Sequence, residues 1–379
     1  MRPILTTHVG SLPRGNELVP LLLARDHGQP YDAEAFDRLV QTAVNDAVAK
    51  QEAAGVSIAS DGELGKVGYS TYMTERLSGF GGNVARKPAL DLAPLPELRK
   101  KLAAIMGEQE FVRASCIAPV RLINLDPCHE DIRRFQKAMS GRKPQGFMNS
   151  ASPGLITAFQ PNAFYASHEN YLADLVTAMR PEYEAIAASG YQLQLDCPDL
   201  AMSRHTAYQD LTEAQFLKTA EANVEALNAA TSGIAPEKMR MHVCWGNYEG
   251  PHDHDIALER VIGIILKARP ATILFEAANP RHEHEWKVWA ETTIPDHKVL
   301  APGLIDTCSN YVEHPELIAQ RIERFAAIVG VERVIASTDC GFGTFAGYGK
   351  MDMEISYKKL RSLSEGAAIA SKRLWRKAA

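Results

Sequence analysis

The chain contains no run of about 18 or more apolar residues, so no segment of it reads as a membrane span. Its opening stretch, MRPILTTHVGSLPRG, lacks the apolar centre of a secretory signal, and the expectation is a cytoplasmic protein. A positive charge excess is missing as well. With 41 Lys and Arg against 46 Asp and Glu, a formal charge of −5 gives no footprint for nucleic acid or an anionic membrane. Cysteine is sparse: six residues, at 116, 128, 197, 244, 308 and 340, are scattered through 379. That spread argues against a disulfide framework and leaves reduced thiols, a metal or core packing. No low-complexity segment, repeat or long linker divides the sequence, and residues 1–379 are read as one domain.

What is present is an alternating grammar. Short apolar stretches that end in polar or glycine residues are each followed by a longer stretch of helical periodicity. The strand candidates are PILTTHVG, VSIASDGE, QGFMNSAS, YQLQLDCP, MRMHVCWG, TILFEAAN, KVLAPGLID and RVIASTDCG. Helices are expected at 32–54, 65–78, 166–188, 212–229, 254–268, 282–290, 314–329 and 354–376. Eight strand–helix units without a glycine-rich first turn predict an α/β fold, a closed (β/α)8 TIM barrel. The proline-rich, polar segment at about 80–145 fits this rhythm worst and reads as an insertion after the second unit. Within it, FVRASCIAPVRL could form an extra strand.

Functional groups of such barrels sit at the C-terminal ends of the strands. Here those ends carry His8, Asp61, Glu63, Asp196, His242, Cys244, Glu276, Asp306, Asp339 and Cys340. His242 and Cys244, two apart on one strand, share a face. With Glu276 and Cys340 they offer one nitrogen, one carboxylate and two thiolates, a set suited to tetrahedral zinc. The H-x-C spacing is also compatible with a core histidine and buried cysteines. A zinc ion in that set would carry a formal charge near −1, poor for making hydroxide but good for keeping a further thiolate nucleophilic. The carboxylate is the natural ligand to yield. Thiol alkylation suits this shell better than hydrolysis does.

The motifs TTHVGSLPR, SDGELGKVGYS, LQLDCPDL, MHVC, LFEAANPR, APGLIDTCSN and ASTDCGF together resemble the C-terminal catalytic barrel of cobalamin-independent methionine synthase, along nearly the whole chain. The resemblance implies a zinc enzyme with His242, Cys244, Glu276 and Cys340 as ligands. It also implies methyl transfer to the thiol of homocysteine or a close analogue, in methionine biosynthesis. Val9, Gly10 and Ser11 match the backbone and hydroxyl that hold the amino-acid carboxylate, and Glu63 and Asp196 match the carboxylates that hold its ammonium group. The catalytic roles thus fall to Glu276, Asp196 and Glu63. Gly10-Ser11 could equally form only a turn, and Glu63 or Asp196 could cap a helix.

Four features depart from that family. Its second, N-terminal barrel has no counterpart here. Where the family has Asp-Ile-His-Ser, this chain has Asp306-Thr307-Cys308-Ser309, replacing the histidine that protonates the leaving folate amine with a poor acid. Cys197 replaces a glutamate, and Phe159 aligns with a tryptophan that stacks on the pterin. The expected partners are therefore a small thiol and a small alkyl donor, folate or a methyl-corrinoid, the latter carried by a protein. A homo-oligomer is left open. Short single-barrel relatives include epoxyalkane:coenzyme M transferase, whose sulfonated thiol would call on Arg14, Arg204 or Arg281. A non-catalytic zinc or thiol sensor is the alternative of another class.

Two histidine-rich stretches resemble metal clusters. PHDHD (251–255) reads as a helix start, and RHEHEW (281–286) spaces its histidines so that they diverge on a helix, with a supporting role open for His282. GFGTFAG (341–347) lacks dinucleotide-loop spacing and reads as a mobile loop or a tight turn. Trp245 and Tyr248 line a pocket or pack as core. Cys116 and Cys128 read as structural.

Overall fold

The computed structural model describes residues 3–107, 113–349 and 351–378. Six parallel strands, Ile58–Ala59, Gln145–Ala151, Gln192–Asp196, Met239–Val243, Thr272–Phe275 and Val299–Pro302, pair in chain order into one curled sheet. Two further segments complete the circuit. Val334 and Ser337 bridge Leu300 and Gly303 in parallel, and Ala336 bridges Thr6. The backbone N–H groups of Ser57 and Ile58 both donate to the Thr6 carbonyl at 3.0 Å. Every predicted strand thus supplies one stave of the barrel.

The outer helices follow the predicted order, among them Ala33–Ala53, His168–Ala188, Glu213–Ala230, Pro315–Val329 and Met353–Ala378. The exception is 65–78, which holds only a 3-10 turn at Tyr72–Glu75. Burial of polar groups overrides helical periodicity there. The Lys66 ammonium donates to the Asn149 carbonyl at 2.7 Å, and Arg76 pairs with Asp131 and Glu182. The corresponding place in the helical layer is taken by Asp126–Met139, which packs between Ala33–Ala53 and His168–Ala188. The excursion from the barrel is therefore narrower than 80–145 at its far end. It includes the helix Pro96–Met106 and a two-stranded antiparallel sheet, Phe80–Gly81 with Ser115–Cys116. The second of those strands lies inside FVRASCIAPVRL.

The barrel interior is polar to an extent the strand sequences only hint at. Arg240 stacks over the Phe147 ring at 3.9 Å and donates to Thr7 Oγ1 and the His8 carbonyl. Burial pushes His8 down to about 4, so it is neutral, bonded to Gln51 at 2.8 Å. Above this layer the same face of Met239–Val243 continues through His242 towards Cys244. None of the described helices is long and apolar enough to cross a membrane.

Candidate metal centre

Strand register sets the first contact. Asp196 pairs with His242, and Val243 with Phe275, so the ends of three consecutive strands meet at one rim. The last stave then brings Cys340 beside Cys244, with sulfurs 3.5 Å apart. That is too long for a disulfide, and close to the ~3.7 Å that two thiolates span on a tetrahedral ion with 2.3 Å bonds. One ligand atom from each of His242, Cys244 and Cys340 lies within 4.8 Å of the others, and all three side chains are buried.

The imidazole has the form a metal ligand needs. His242 Nε2 lies 3.1 Å from the Asp339 carbonyl, which fixes the proton on that nitrogen and leaves Nδ1, 4.0 Å from Asp196 Oδ1, unprotonated. Burial lowers its pKa to about 4, so the ring is neutral at pH 7. The hydrogen bond with Cys340, together with burial, pushes the Cys244 thiol well above its ordinary range. Two buried thiols this close, beside a neutral imidazole, fit a divalent cation, which would stabilise the thiolate form they otherwise resist.

Glu276 stands outside that close group. Its Oε1 accepts from the N–H of Trp245 at 2.7 Å and of Gly246 at 3.3 Å, and its Oε2 accepts from Asn279 Nδ2 at 2.6 Å. Asp339 shapes the same loop, taking the N–H groups of Ala277, Ala278 and Asn279 at 2.8, 2.9 and 2.8 Å.

A cavity of about 300 Å³ opens onto His242, Cys244 and Cys340 and is also lined by Val9, Ser11, Glu63 and Asp196. The N–H groups of Val9 and Gly10 are used within the chain, by Thr338 Oγ1 and His8 Nδ1. Of the 9–11 stretch, Ser11 is left to face a ligand. Gly10 is required where it stands: at φ 141°, a Cβ would lie 2.3 Å from Asn149 Oδ1. Glu63 also has a positive φ of 55°, an uncommon conformation for a non-glycine residue, and its buried Oε2 has no hydrogen-bond partner. Burial raises Glu63 to about 8 and Asp196 to about 6; Asn149 and Gln194 donate to Asp196 and offset part of its burial cost.

The remaining sequence candidates separate cleanly. Arg14 spends its guanidinium on the carbonyls of Lys66, Gly343 and Glu63, and neither it nor Arg204 nor Arg281 lines the cavity. Arg86, Arg99 and Arg113 do, from the excursion that sequence periodicity could not place. Tyr248 lines the cavity, whereas Trp245 is buried against His282. Cys308 faces a small neighbouring cavity and donates to Asn247 Oδ1 at 3.3 Å; burial holds its thiol protonated. The 341–347 loop is tightly packed, since a Cβ on Gly341 would meet Ser11 Oγ at 2.0 Å.

Comparison with known proteins gives a consistent result. Residues 152–351 match the family described as "Cobalamin-independent synthase, Catalytic domain". Over 378 residues the chain is 26% identical to the methionine synthase of Thermococcus kodakarensis, covering 99% of this chain and 96% of that one. It is 24% identical to that of Saccharolobus solfataricus over 384 residues, covering 98% and 96%. Among solved structures, a B12-independent methionine synthase from Shewanella sp. W3-18-1, in complex with selenomethionine, shares the fold with a TM-score of 0.71. That likeness covers 99% of this chain and 100% of the other at 19% identity. The family match spans more than half of the chain, which belongs to the cobalamin-independent methionine synthase family.

Proposed function

We propose that this protein is a zinc-dependent S-methyltransferase acting on the thiol of homocysteine or a close analogue. The observation that carries the reading is the joint exposure of His242, Cys244, Cys340, Glu63, Asp196 and Ser11 to one cavity. Zinc held by His242, Cys244, Glu276 and Cys340 would supply the Lewis acidity that keeps a substrate thiol ionised, against an unperturbed pKa of about 8.5.

The chain's own residues do the rest. Glu63 and Asp196 present buried carboxylates to the substrate ammonium, and the unpartnered Glu63 Oε2 is the acceptor that such a cation satisfies. Ser11 takes the substrate carboxylate. Glu276 is suited to yield its position to the thiol, because its oxygens already accept from three donors. Cys308, neutral and turned to Asn247, is a poor acid for a leaving amine, which favours a methyl-corrinoid over a folate donor.

The names of the relatives support homocysteine as acceptor. The arginines at the cavity wall support one second reading, addition of a sulfonated thiol to an epoxide. The deciding assay gives the zinc-loaded protein homocysteine with methylcobalamin or methyl-folate, and coenzyme M with an epoxide. Methionine formation that is lost in Cys244→Ser supports the first reading. Turnover only with coenzyme M supports the second, and thiol binding without turnover makes the protein a sensor.

A further inference from the structure

Behind Glu276 lies a second buried cluster with no cysteine in it, drawn from the two histidine-rich stretches that sequence spacing sets aside. His252 and Asp255 come from 251–255 and His282 from 281–286, while His254 and His284 of the same stretches are exposed. One ligand atom from each of His252, Asp255 and His282 lies within 4.8 Å of the others. Asp255 Oδ2 is 2.9 Å from both His252 Nδ1 and His282 Nε2, and its side chain is only 3% exposed.

Donor and acceptor counting makes this arrangement unusual. The outward nitrogens are committed: His252 Nε2 lies 3.0 Å from the Tyr248 carbonyl, and His282 Nδ1 lies 2.8 Å from Glu285 Oε2. A carbonyl and a carboxylate only accept, so each ring's outer nitrogen carries its proton. The inner contacts to Asp255 then need a second positive partner at each ring: either a second proton, which the neighbouring carboxylates favour by raising both rings above the ordinary histidine range, or one metal ion in place of both protons. Rings braced outward onto oxygen acceptors are how histidine ligands are commonly oriented. Two orphaned atoms adjoin the cluster: His205 Nδ1 and Asp255 Oδ1, both buried without hydrogen-bond partners, are 3.2 Å apart. His205 offers a further nitrogen donor beside Asp255.

We propose that His252, Asp255 and His282, with His205 as the available fourth ligand, bind a second zinc ion in a closed structural site. Nitrogen and oxygen donors in a buried setting suit zinc, whose ligands span about 3.3 Å at 2.0–2.1 Å bond lengths, so the 2.9 Å separations need only a small outward shift. The ion would tie the loop after the Cys244 strand to the segment that starts at His282, fixing Trp245, which packs on His282 at 4.7 Å and whose N–H holds Glu276.

The site stands independently of the methyl-transfer reading. Crystals of the wild-type protein grown with zinc, measured on both sides of the zinc absorption edge, test it without any substitution. Two anomalous peaks are expected, one beside Cys244 and Cys340 and one among His252, Asp255 and His282. A peak at the cysteines alone would overturn the proposal, leaving the rings as a pair of imidazolium ions. In solution, folded Cys244→Ser/Cys340→Ser protein should keep one zinc equivalent per chain, and His252→Asn/His282→Gln should lose one of two. A cysteine variant that is folded and zinc-free counts against the site, whatever the activity assay gives.

Discussion

The sulfurs of Cys244 and Cys340, 96 residues apart in sequence, lie 3.5 Å from each other at the rim of the barrel. Each is the only sulfur partner the other has in the close group with His242. Replacing either by serine should weaken metal binding by more than the roughly 10–100-fold that losing an outer hydrogen-bond partner of a ligand costs. Equilibrium competition with a chelator would show it; retained affinity in both variants would remove the cysteines from the site.

Glu63 links pH to both stability and binding. Its folded pKa of about 8 lies above the ordinary 4.5, so its contribution to stability is full below pH 4.5 and is lost as the pH rises through 8. Glu63→Gln should match the wild type near pH 5 and exceed it at pH 8.5, by an amount on the order of 1 kcal/mol or more. The same variant should bind homocysteine at least about tenfold more weakly, because a charge-assisted partner of the ammonium is gone. Wild-type affinity should rise from pH 6 towards 8, as the Glu63 carboxyl gives up its proton and the substrate ammonium is still charged. Thermal melts and titration calorimetry across pH check both halves. A flat wild-type profile contradicts the assignment.

Cys308→Ala should leave turnover with a corrinoid donor within about threefold, since the protonated thiol donates to Asn247. A loss of 100-fold or more in kcat, about 2.7 kcal/mol of barrier, would instead make Cys308 a participant in proton transfer.

Asp339→Asn tests the loop that carries Glu276. The substitution turns an acceptor into a donor facing backbone N–H groups, with an expected cost of about 1–3 kcal/mol. Urea denaturation should register it, and metal affinity should fall with it. An unchanged midpoint would show that the Ala277–Asn279 turn needs no such anchor.

The eight staves were legible because each short apolar run ended in polar or glycine residues, and the period of two placed His242 and Cys244 on one face. The segment 65–78 misled because its spacing resembles a helix, while Lys66, Tyr72 and Arg76 are drawn inward by partners distant in sequence. Asp126–Met139 is not legible as a helix because its polar residues mask an apolar stripe, and one of them, Arg134, is itself buried against Asp37 and Asp131. For the site, the residues at strand ends could be read from spacing. The cavity-wall residues Arg86, Arg99 and Arg113 could not, because no periodicity governs an excursion, and the meeting of His252, Asp255 and His282 depends on two loops folding onto each other.

The most direct measurement is X-ray absorption at the zinc edge, on protein with His252 and His282 replaced so that only the cysteine site contributes. Without substrate, the shell should hold two sulfurs with nitrogen and oxygen ligands. On adding homocysteine, a third sulfur should appear at about 2.3 Å as one oxygen is lost. A shell that keeps two sulfurs at saturating thiol would contradict thiol activation at His242, Cys244 and Cys340.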